Sequence, residues 1–291
     1  MTARRYPKSP DFVSVAAQIA CLLEASAEKP GNVTPSHAFR DADFTDFLKA
    51  AAAIGPEIAR AGIRSVGATI LAAVQATRVW TRANVNLGII LLFAPIARAA
   101  LVPETPSGKD TLRDRLHDVL TLLTVDDARA AYAAIRLASP GGLGQVDQHD
   151  VRSEPHITLR DAMAIAARRD RIAAEYISDY RVTFEYGIPA FRHSLRRGLV
   201  LRDAVVQVFL ELLATFPDTL IARKQGTQAA DRVQTWAAEA LNAGGMYTPR
   251  GRRAIAQLDS RLRDPANTLN PGTTADLVAA TLFVAILEGV I

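Results

Sequence analysis

Apolar residues recur along this chain at the three- and four-residue spacing of amphipathic helices. Between residues 11 and 27, for example, Val15, Ile19 and Leu22 share one helical face, whereas Gln18 lies elsewhere. The alternating pattern of strands is almost absent, and neither a hairpin nor a βαβ rhythm is found. The spacing predicts helices over residues 11–27, 43–60, 64–80, 87–101, 109–122, 126–137, 159–177, 179–196, 201–215, 218–225, 228–242, 248–263 and 273–289.

Turn-forming stretches rich in Gly, Pro, Asn and Ser separate these helices. None has the character of a linker between two domains, and the first helices and the last helix are too apolar to stand alone. We therefore predict an all-α fold: a single compact domain over residues 1–291, with about a dozen helices joined by long functional loops. The breaks cover residues 28–32, 34–37, 102–108, 139–156, 241–249 and 264–274.

The amino-acid composition limits the kinds of molecule that this protein is expected to bind. The 291 residues are 49% hydrophobic but only 6% aromatic, so the core has to be built mostly from Ala, Leu, Ile and Val. Basic residues number 34 and acidic residues 30, and the net charge of +4 is mild for this length. Because no dense Lys/Arg block occurs, the charge pattern argues against a nucleic-acid partner. It is compatible with a pocket for small anionic substrates.

The single cysteine and the short apolar runs exclude other classes. Cys21 cannot form an intramolecular disulfide or a cysteine-cluster zinc site, and its helical context favours a small core residue. The run from Leu87 to Ala97 is too short to cross a bilayer. We therefore expect a soluble cytoplasmic protein that does not bind membranes, and the high apolar fraction makes a homodimer plausible.

A polar turn at residues 28–33 ends the first helix with a Pro-Gly pair and presents Lys29 and Asn32 beside the break. On its own, such a turn is typical of a helix that terminates at Gly. The acidic residues that follow favour a binding role, because one or two carboxylates such as Asp43 can hold Mg²⁺ together with waters and substrate phosphates. Asp43 is equally suited to cap the next helix.

Asn84 and Asn86 stand directly before the apolar run that begins at Leu87. A helix start needs only one side-chain cap, and either amide is sufficient. If the stretch is extended, both amides face the same side above a helix N-terminus, a position that suits anionic oxygens. The stretch therefore predicts either a simple helix cap or part of a ligand site.

Two later segments carry further polar candidates. The Gly-rich loop at residues 139–156 contains Asp150, which is suited to a metal or a sugar hydroxyl, although its GGLG lacks the pattern of a phosphate-binding loop. Arg223 and Lys224 end a short helix, where they either bind phosphates or balance the helix dipole.

The turn before the last helix adds Thr273 and Thr274 as caps, with backbone amides exposed for an anion. Asp276 lies in the first helical turn, where an acid is favourable in any case. Each of these features has a purely structural explanation. A helical chain seldom places so many Lys, Asn, Asp and Thr side chains at helix ends, however. We therefore predict that these loops converge on one polyphosphate–metal pocket.

Together, these motifs resemble the triphosphoribosyl-dephospho-CoA synthase family. The resemblance runs from about residue 20 to residue 289, and PDTLIARK and NPGTTADLVAA look especially similar to family members from organisms with pterin-linked one-carbon metabolism. It rests on the motifs KPGNV, a DxDF-like acidic stretch, Asn-x-Asn-x-Gly before an apolar helix, and PGTTADL.

The resemblance implies an all-α transferase that moves the ribose 5-triphosphate of ATP onto a hydroxyl of dephospho-CoA and releases adenine. It implies Mg²⁺ as the cofactor, and a nucleotide and a small cofactor precursor as the binding partners. The implied substrate- or phosphate-binding residues are Lys29, Asn32, Asn84, Asn86, Arg223, Lys224, Thr273 and Thr274. The implied catalytic carboxylates are Asp43, Asp150 and Asp276, of which Asp43 and Asp150 are also the candidate Mg²⁺ ligands.

This chain departs from that family at one motif. Similar sequences usually read Gly-Thr-Asn-Thr-Asn before the apolar helix, whereas residues 82–86 here read Arg-Ala-Asn-Val-Asn. The missing glycine restricts backbone approach to a ligand, and the missing hydroxyls remove hydrogen bonds. Two alternatives follow. One is ribosyl or phosphoribosyl transfer, with phosphoribosyl pyrophosphate as a possible donor, to a methanopterin-like precursor of a C1 carrier. The other is a diverged nucleotide-binding subunit without catalytic activity.

Overall fold

The computed structural model describes residues 6–103, 107, 110–138 and 151–291. Within these ranges the chain is helical and has no strand, apart from one isolated β-bridge between Thr34 and His37. The predicted all-α class is confirmed. The helices are α1 (Pro10–Ser26), α2 (Phe44–Ile58), α3 (Val66–Trp80), α4 (Leu87–Leu101), α5 (Leu112–Thr121), α6 (Val125–Ala138), α7 (Leu159–Ala166), α8 (Arg171–Ile177), α9 (Ile188–Arg196), α10 (Leu201–Thr215), α11 (Thr219–Gln225), α12 (Thr227–Asn242), α13 (Pro249–Leu262) and α14 (Gly272–Leu287), with a π-helical turn at Val182–Gly187 and a 3₁₀ turn at Gly245–Tyr247.

Most helices begin at polar capping residues that the sequence supplies locally. Ser9 accepts a hydrogen bond from the backbone N–H of Phe12 at 3.2 Å, and Asp43 forms a reciprocal capping box with Asp46. Because a cap is a contact between near neighbours in the chain, the predicted starts and ends are reproduced closely. The helices expected over residues 87–101 and 201–215 match to the residue.

One predicted helix, over residues 159–177, is divided into α7 and α8. The division lies at Asp170, whose side chain accepts hydrogen bonds from the N–H groups of Ile172 and Ala173 and so starts a new helix. Apolar periodicity continues across the break, which is why the pattern alone predicts one continuous helix.

A second departure occurs between α8 and α9, where the helix expected over residues 179–196 begins as the π-helical turn. Asp179 and Tyr180 take positive φ angles of 51° and 56°, which reverse the chain after α8. The buried carboxylate of Glu175 then accepts hydrogen bonds from the N–H groups of Val182 and Thr183 at 2.9 and 3.0 Å. Burial raises the pKa of Glu175, although these hydrogen bonds oppose the shift.

Helices α4 and α14 form the centre of the molecule, because nearly every residue of both is buried. The rings of Phe93 and Phe283 stack between them with centroids 4.5 Å apart. Helices α1, α3 and α5 pack against α4, and α1 and α10 pack against α14. In the described ranges no single helix is long and apolar enough to cross a membrane. The pair α10 and α11, bent by 55°, passes that test of length and composition only when the two are taken together.

Helix α1 buries its small residues and exposes its large ones. Val15, Ile19 and Leu22, which share the most apolar predicted face, are exposed at the surface. Small side chains allow close approach to α2 and α14, and they form the opposite, buried face: Val13, Ala16, Ala17, Ala20 and Cys21. The prediction that Cys21 is a small core residue is confirmed, and burial raises the pKa of its thiol.

A buried carboxylate also joins α3 to α6. Asp127, in the first turn of α6, accepts hydrogen bonds from the N–H of Gly67 at 2.7 Å and from the N–H of Thr124 at 2.9 Å. Burial disfavours its charge, but these hydrogen bonds outweigh that effect and hold the pKa below its usual value. A Cβ atom on Gly67 would lie 2.4 Å from the carbonyl oxygen of Asp127, so the contact requires glycine.

Helix α4 contains Pro95, which has no N–H to donate to the carbonyl of Leu91 four residues earlier. The hydroxyl of Tyr176 donates to this carbonyl at 2.6 Å and so takes the place of the missing donor. The hydroxyl of Tyr180 donates to the next carbonyl, that of Leu92, at 2.9 Å. The turn after α8 thus stabilises the most buried helix at the point where its own hydrogen bonding is broken.

We predict that Tyr176→Phe lowers the free energy of unfolding by about 1–3 kcal/mol, because it leaves the buried Leu91 carbonyl without a donor. In a Pro95→Ala background the loss should be smaller, since the introduced alanine supplies the helical N–H. Urea denaturation of the four proteins of this double-mutant cycle measures the coupling. Tyr180→Phe is the matched control, because the Leu92 carbonyl keeps its helical donor. Equal losses for Tyr176→Phe in both backgrounds would contradict this account.

Candidate functional site

A cavity of about 770 Å³ opens where the N-terminal ends of α4, α8, α11 and α14 approach the loop after α1. Its size lies within the usual range for small-molecule sites. Charged and amide side chains from all these segments converge in it. The polar residues of its wall are Glu24, Asn32, Asp41, Arg78, Arg82, Asn84, Asn86, Asp170, Arg223, Lys224, Asn267, Asn270, Thr273 and Asp276.

Helix α11 supplies one group of cations. A guanidinium nitrogen of Arg223 lies 3.5 Å from a carboxylate oxygen of Asp170, the residue that caps α8. The ammonium of Lys224 donates to the backbone carbonyl of Asn267 at 3.3 Å. Both side chains are half-buried or exposed at the cavity wall, so they are available to an anionic ligand.

Carboxylates supply the opposite charge close to these cations. Burial, together with repulsion from Glu24, Asp218 and Asp170, raises the pKa of Asp276 well above its usual range, and Arg223 only partly opposes the shift. Within the described residues no hydrogen-bond donor is found for the Asp276 side chain. A carboxylate with a raised pKa is suited to exchange a proton with a ligand or to hold a cation.

Gly88, in the first turn of α4, allows Asp276 to take this position. A Cβ atom at residue 88 would lie 2.0 Å from a carboxylate oxygen of Asp276 and 2.7 Å from a methyl carbon of Ile172. Asp276 therefore lies directly against the start of α4, where the helix dipole favours negative charge. The glycine of the Asn-x-Asn-x-Gly motif is thus explained by close packing on a carboxylate.

The two asparagines before α4 have separate positions. Asn86 occupies the N-cap position of α4, but its side chain makes no capping bond and instead donates to the hydroxyl of Thr77 at 3.1 Å. Asn84 is exposed at the cavity wall, and no hydrogen bond of its amide is found within the described ranges. Asn86 therefore stands at the predicted cap position, but its side chain makes no capping bond to the first turn, and α4 begins without a side-chain cap.

Asn32 presents an unsatisfied acceptor. Its amide nitrogen donates to Asn270 at 2.5 Å, and its backbone carbonyl accepts from Arg263 at 3.1 Å. The amide oxygen of Asn32 is buried and has no hydrogen-bond partner among the described residues. Because this oxygen is not exposed, Asn32 lines the cavity without offering its carbonyl to a ligand.

One buried carboxylate aligns the two helices that supply most of this chemistry. Asp218 caps α11 by accepting from the N–H groups of Leu220 and Ile221 at 2.9 and 3.1 Å. Its other oxygen accepts from the N–H and hydroxyl of Thr274, at 2.7 and 2.8 Å, at the start of α14. Burial raises the pKa of Asp218 in spite of these hydrogen bonds. Thr274 is thereby turned away from the cavity, whereas Thr273 faces it.

The structure brings most of the residues predicted from the sequence into this cavity. Lys29 and Asp43 lie elsewhere, as does Thr274, and Asp150 lies outside the described residues. Those that line the cavity are Asn32, Asn84, Asn86, Arg223, Lys224, Thr273 and Asp276.

Lys29 does not face the cavity, contrary to the expected contact with phosphate. It is 1% exposed, and its ammonium forms an ion pair with Glu24 at 2.9 Å and also donates to the backbone carbonyls of Glu24 and Ala27. Its charge therefore balances a buried carboxylate that lines the cavity. Lys29 acts on the site through Glu24.

Asp43 caps α2 and does not line the cavity, so the structure does not bring it to the site at which a catalytic or metal-binding role was expected. One of its oxygens accepts from the N–H and hydroxyl of Thr45 at 2.7 and 2.6 Å, and these hydrogen bonds lower its pKa. Asp41, two residues earlier, lines the cavity instead. The two acids are both plausible caps in the sequence, and only the fold distinguishes them.

Several cavity residues have no distinctive signal in the sequence. Glu24 and Arg78 are ordinary polar residues within helices, and Asp170 lies inside an apparently continuous helix. Asn267 and Asn270 stand in a turn-rich loop, where Asn is common for local reasons. Only the packing of distant helices brings these side chains together.

We predict that Asp276→Asn raises the melting temperature in metal-free buffer at neutral pH, by roughly 2–4 °C. The wild-type carboxylate has a raised pKa in the folded state, so its ionisation above the unfolded value of about 3.9 costs stability. The advantage of Asn should shrink as the pH falls through the raised pKa, and it should vanish below about pH 4. Thermal unfolding from pH 4 to 8 tests this, with exposed Asp231→Asn as the control. A variant less stable than wild type at pH 7 would contradict it.

We also predict that Gly88→Ala destabilises the protein, although Ala is normally the better helix former by about 1 kcal/mol. The new methyl group would displace the carboxylate of Asp276. Combined with Asp276→Ala, which removes that carboxylate, the destabilisation should fall markedly. Chemical denaturation of the single and double variants measures the effect, and additive losses would argue against direct contact.

Comparison with known proteins agrees with the resemblance drawn from the motifs. A "Probable 2-(5''-triphosphoribosyl)-3'-dephosphocoenzyme-A synthase" of Stutzerimonas stutzeri is 29% identical over 156 residues, which are 54% of this chain and 50% of that protein. A protein of the same name from Pseudomonas savastanoi is 27% identical over 194 residues, covering 65% of this chain and 64% of that one. The matches thus span about half to just under two thirds of those relatives.

A solved structure is similar over most of the chain. It is the crystal structure of an Archaeoglobus fulgidus protein, named as a candidate triphosphoribosyl-dephospho-CoA synthase. It has a TM-score of 0.64 and 26% identity, and the match covers 83% of this chain and 99% of that one. The family model "CitG: ATP:dephospho-CoA triphosphoribosyl transferase" matches residues 10–290. Because that match covers nearly the whole chain, the protein belongs to the CitG family.

Proposed function

We propose that this protein transfers the triphosphoribosyl group of ATP to a hydroxyl of dephospho-CoA and releases adenine. The family description and the names of the relatives support this assignment. The observation that carries it is the meeting of cations and uncompensated carboxylate in one cavity. Arg223 and Lys224 lie on the same wall as Asp276 and Asp170. This reaction of ATP requires cations, because the triphosphate is anionic. It also requires a carboxylate, because the ribose becomes positively charged in the transition state.

The bond changes define what the site has to do. The glycosidic bond of ATP breaks with its electron pair on adenine, and a new bond joins the anomeric carbon to the acceptor oxygen. The acceptor hydroxyl loses a proton and adenine gains one, so no net proton is released. Asp276, whose pKa is raised well above its usual range, is suited to accept the first proton and to supply the second.

The remaining contacts divide between phosphate and sugar. We assign the triphosphate to Arg223, Lys224 and the N-terminus of α14 at Thr273, since helix starts and cations both favour phosphate. Asn84 and Asn86 remain candidates for orienting phosphate or ribose.

Magnesium fits the cavity as a partner of the substrate phosphates. In the part of the chain that the structure describes, no group of three or more His, Cys, Asp or Glu side chains is placed to hold a metal. Mg²⁺ needs only one or two carboxylates when phosphates complete its shell. Asp170 is the cavity carboxylate that would hold the ion, since Glu24 is already paired with Lys29. The bound ion would neutralise part of the triphosphate charge.

The alternative acceptor has less support. Transfer to a methanopterin-like precursor, and with it a place in one-carbon metabolism, rests on sequence resemblance alone. The family description and the relatives quoted above name dephospho-coenzyme A. A non-catalytic subunit is also disfavoured, because the cavity keeps its cations and its carboxylates.

We predict release of adenine when the protein is incubated with Mg²⁺, ATP and dephospho-CoA. Chromatography of the free base measures it. Omission of dephospho-CoA, of Mg²⁺ or of the protein provides the controls. A parallel mixture holds phosphoribosyl pyrophosphate and a pterin-type acceptor, and pyrophosphate is the product measured. Pyrophosphate in that mixture alone would replace the proposed acceptor. If neither adenine nor pyrophosphate is released in any mixture while ATP still binds in calorimetry, the non-catalytic alternative is favoured.

Two variants test the assigned roles in the same assay. Asp276→Asn should lower kcat about 100-fold or more, the usual contribution of a general acid–base group. Arg223→Gln should raise KM for ATP about tenfold, because it removes a charge-assisted contact with phosphate. Arg232→Gln, on the exposed face of α12, is the matched control. Full turnover by Asp276→Asn would remove that residue from the reaction.

A further inference from the structure

A second group of cations lines the cavity on a different element from α11. Arg78 lies in the last turn of α3, and Arg82 lies in the connection from α3 to α4. The guanidinium of Arg78 donates to the backbone carbonyl of Arg82, which orders the connection. Within the described ranges neither guanidinium has a carboxylate partner. Two cavity-lining arginines without a carboxylate partner favour a multivalent anion.

An uncharged donor lies beside these arginines. Arg78, Asn84 and Asn86 line a narrow recess of about 10 Å³ next to the main cavity. Asn86 is held by Thr77, but the exposed amide of Asn84 is free within the described residues. Two guanidinium groups and one amide can supply several N–H donors to adjacent phosphate oxygens.

The two cation groups differ in their surroundings. Arg223 of α11 is 3.5 Å from Asp170, and its charge also acts on Asp276. A ribose that reacts beside Asp276 would therefore place its own triphosphate on the α11 side. Arg78 and Arg82 form no such contact with the carboxylates of the described residues, so they are free for the phosphates of a different molecule.

We propose that Arg78, Arg82 and Asn84 bind the diphosphate of the acceptor, dephospho-CoA. This inference rests on the proposed function, because it assumes a reaction between two phosphate-bearing substrates. It assigns each of the two cation groups in the cavity to one substrate. The acceptor is then held through its diphosphate, which orients the reacting hydroxyl without using the residues around Asp276.

The test is the binding of each substrate to Arg82→Gln, measured by calorimetry and by steady-state kinetics. The dissociation constant and KM for dephospho-CoA should rise about tenfold. This is the lower end of the range expected for loss of a charge-assisted hydrogen bond, because the guanidinium is exposed. The dissociation constant for ATP should change less than about twofold, since its triphosphate is held on the α11 side. Arg82→Lys should recover part of the loss, and the difference from wild type should shrink at high salt. Arg232→Gln is again the control.

A truncated ligand isolates the diphosphate. Adenosine, which lacks the diphosphate, should bind wild type and Arg82→Gln equally as a competitor of dephospho-CoA. Equal binding of dephospho-CoA to both proteins would overturn the inference and leave the proposed function standing, provided that adenine is still released. A selective loss of ATP binding would assign Arg82 to the triphosphate and also overturn the inference. If wild type neither binds dephospho-CoA nor releases adenine with it, the proposed function fails together with the inference.

Discussion

The carboxylate of Asp218 holds two helices in register, and the cavity depends on that contact. One oxygen caps α11, and the other accepts both donors of Thr274 at the start of α14. The two segments are 56 residues apart in the chain, so no local force keeps them aligned. Through this link the cations of α11 and the carboxylate of Asp276 face the same space. Loss of the carboxylate would leave buried donors of both helices unsatisfied at once.

Buried carboxylates also join helical segments elsewhere in the molecule, and this arrangement fits the amino-acid composition. With few aromatic residues, the core is built from small aliphatic side chains that allow helices to approach closely. Such packing specifies the relative orientation of helices only weakly. The directional hydrogen bonds of buried carboxylates specify it more strongly. Asp127 joins α3 to α6, and Glu175 joins α8 to the π-helical turn. Each is satisfied by several N–H or O–H donors, which is what makes its burial tolerable. Asp276 has no donor among the described residues, and its raised pKa is typical of a functional group.

The sequence predicts the helices well because periodicity and capping act between near neighbours. It predicts the site less completely. Residues at helix ends, such as Arg223 and Thr273, are recognisable because a convergence of loops is the usual way to build a pocket. Asp43 is misleading because a satisfied cap and a free acid look identical in sequence. The contributions of Glu24 and Arg78 depend on which helix face meets the cavity, and that is decided by the packing of α1 and α3 against distant partners. The family resemblance supplied what local patterns could not.

The start of α4 shows how structural and functional demands are reconciled at one point. Asn86 could have capped the helix, yet its side chain turns inward to Thr77 and leaves the first turn open. Gly88 carries no side chain that would fill the opening, and the carboxylate of Asp276 occupies it. A capped, alanine-containing first turn would be more stable in isolation. It would also move Asp276 away from the helix start and from the wall that it shares with Arg223. The uncapped turn is therefore best understood as the space in which the carboxylate of Asp276 is held.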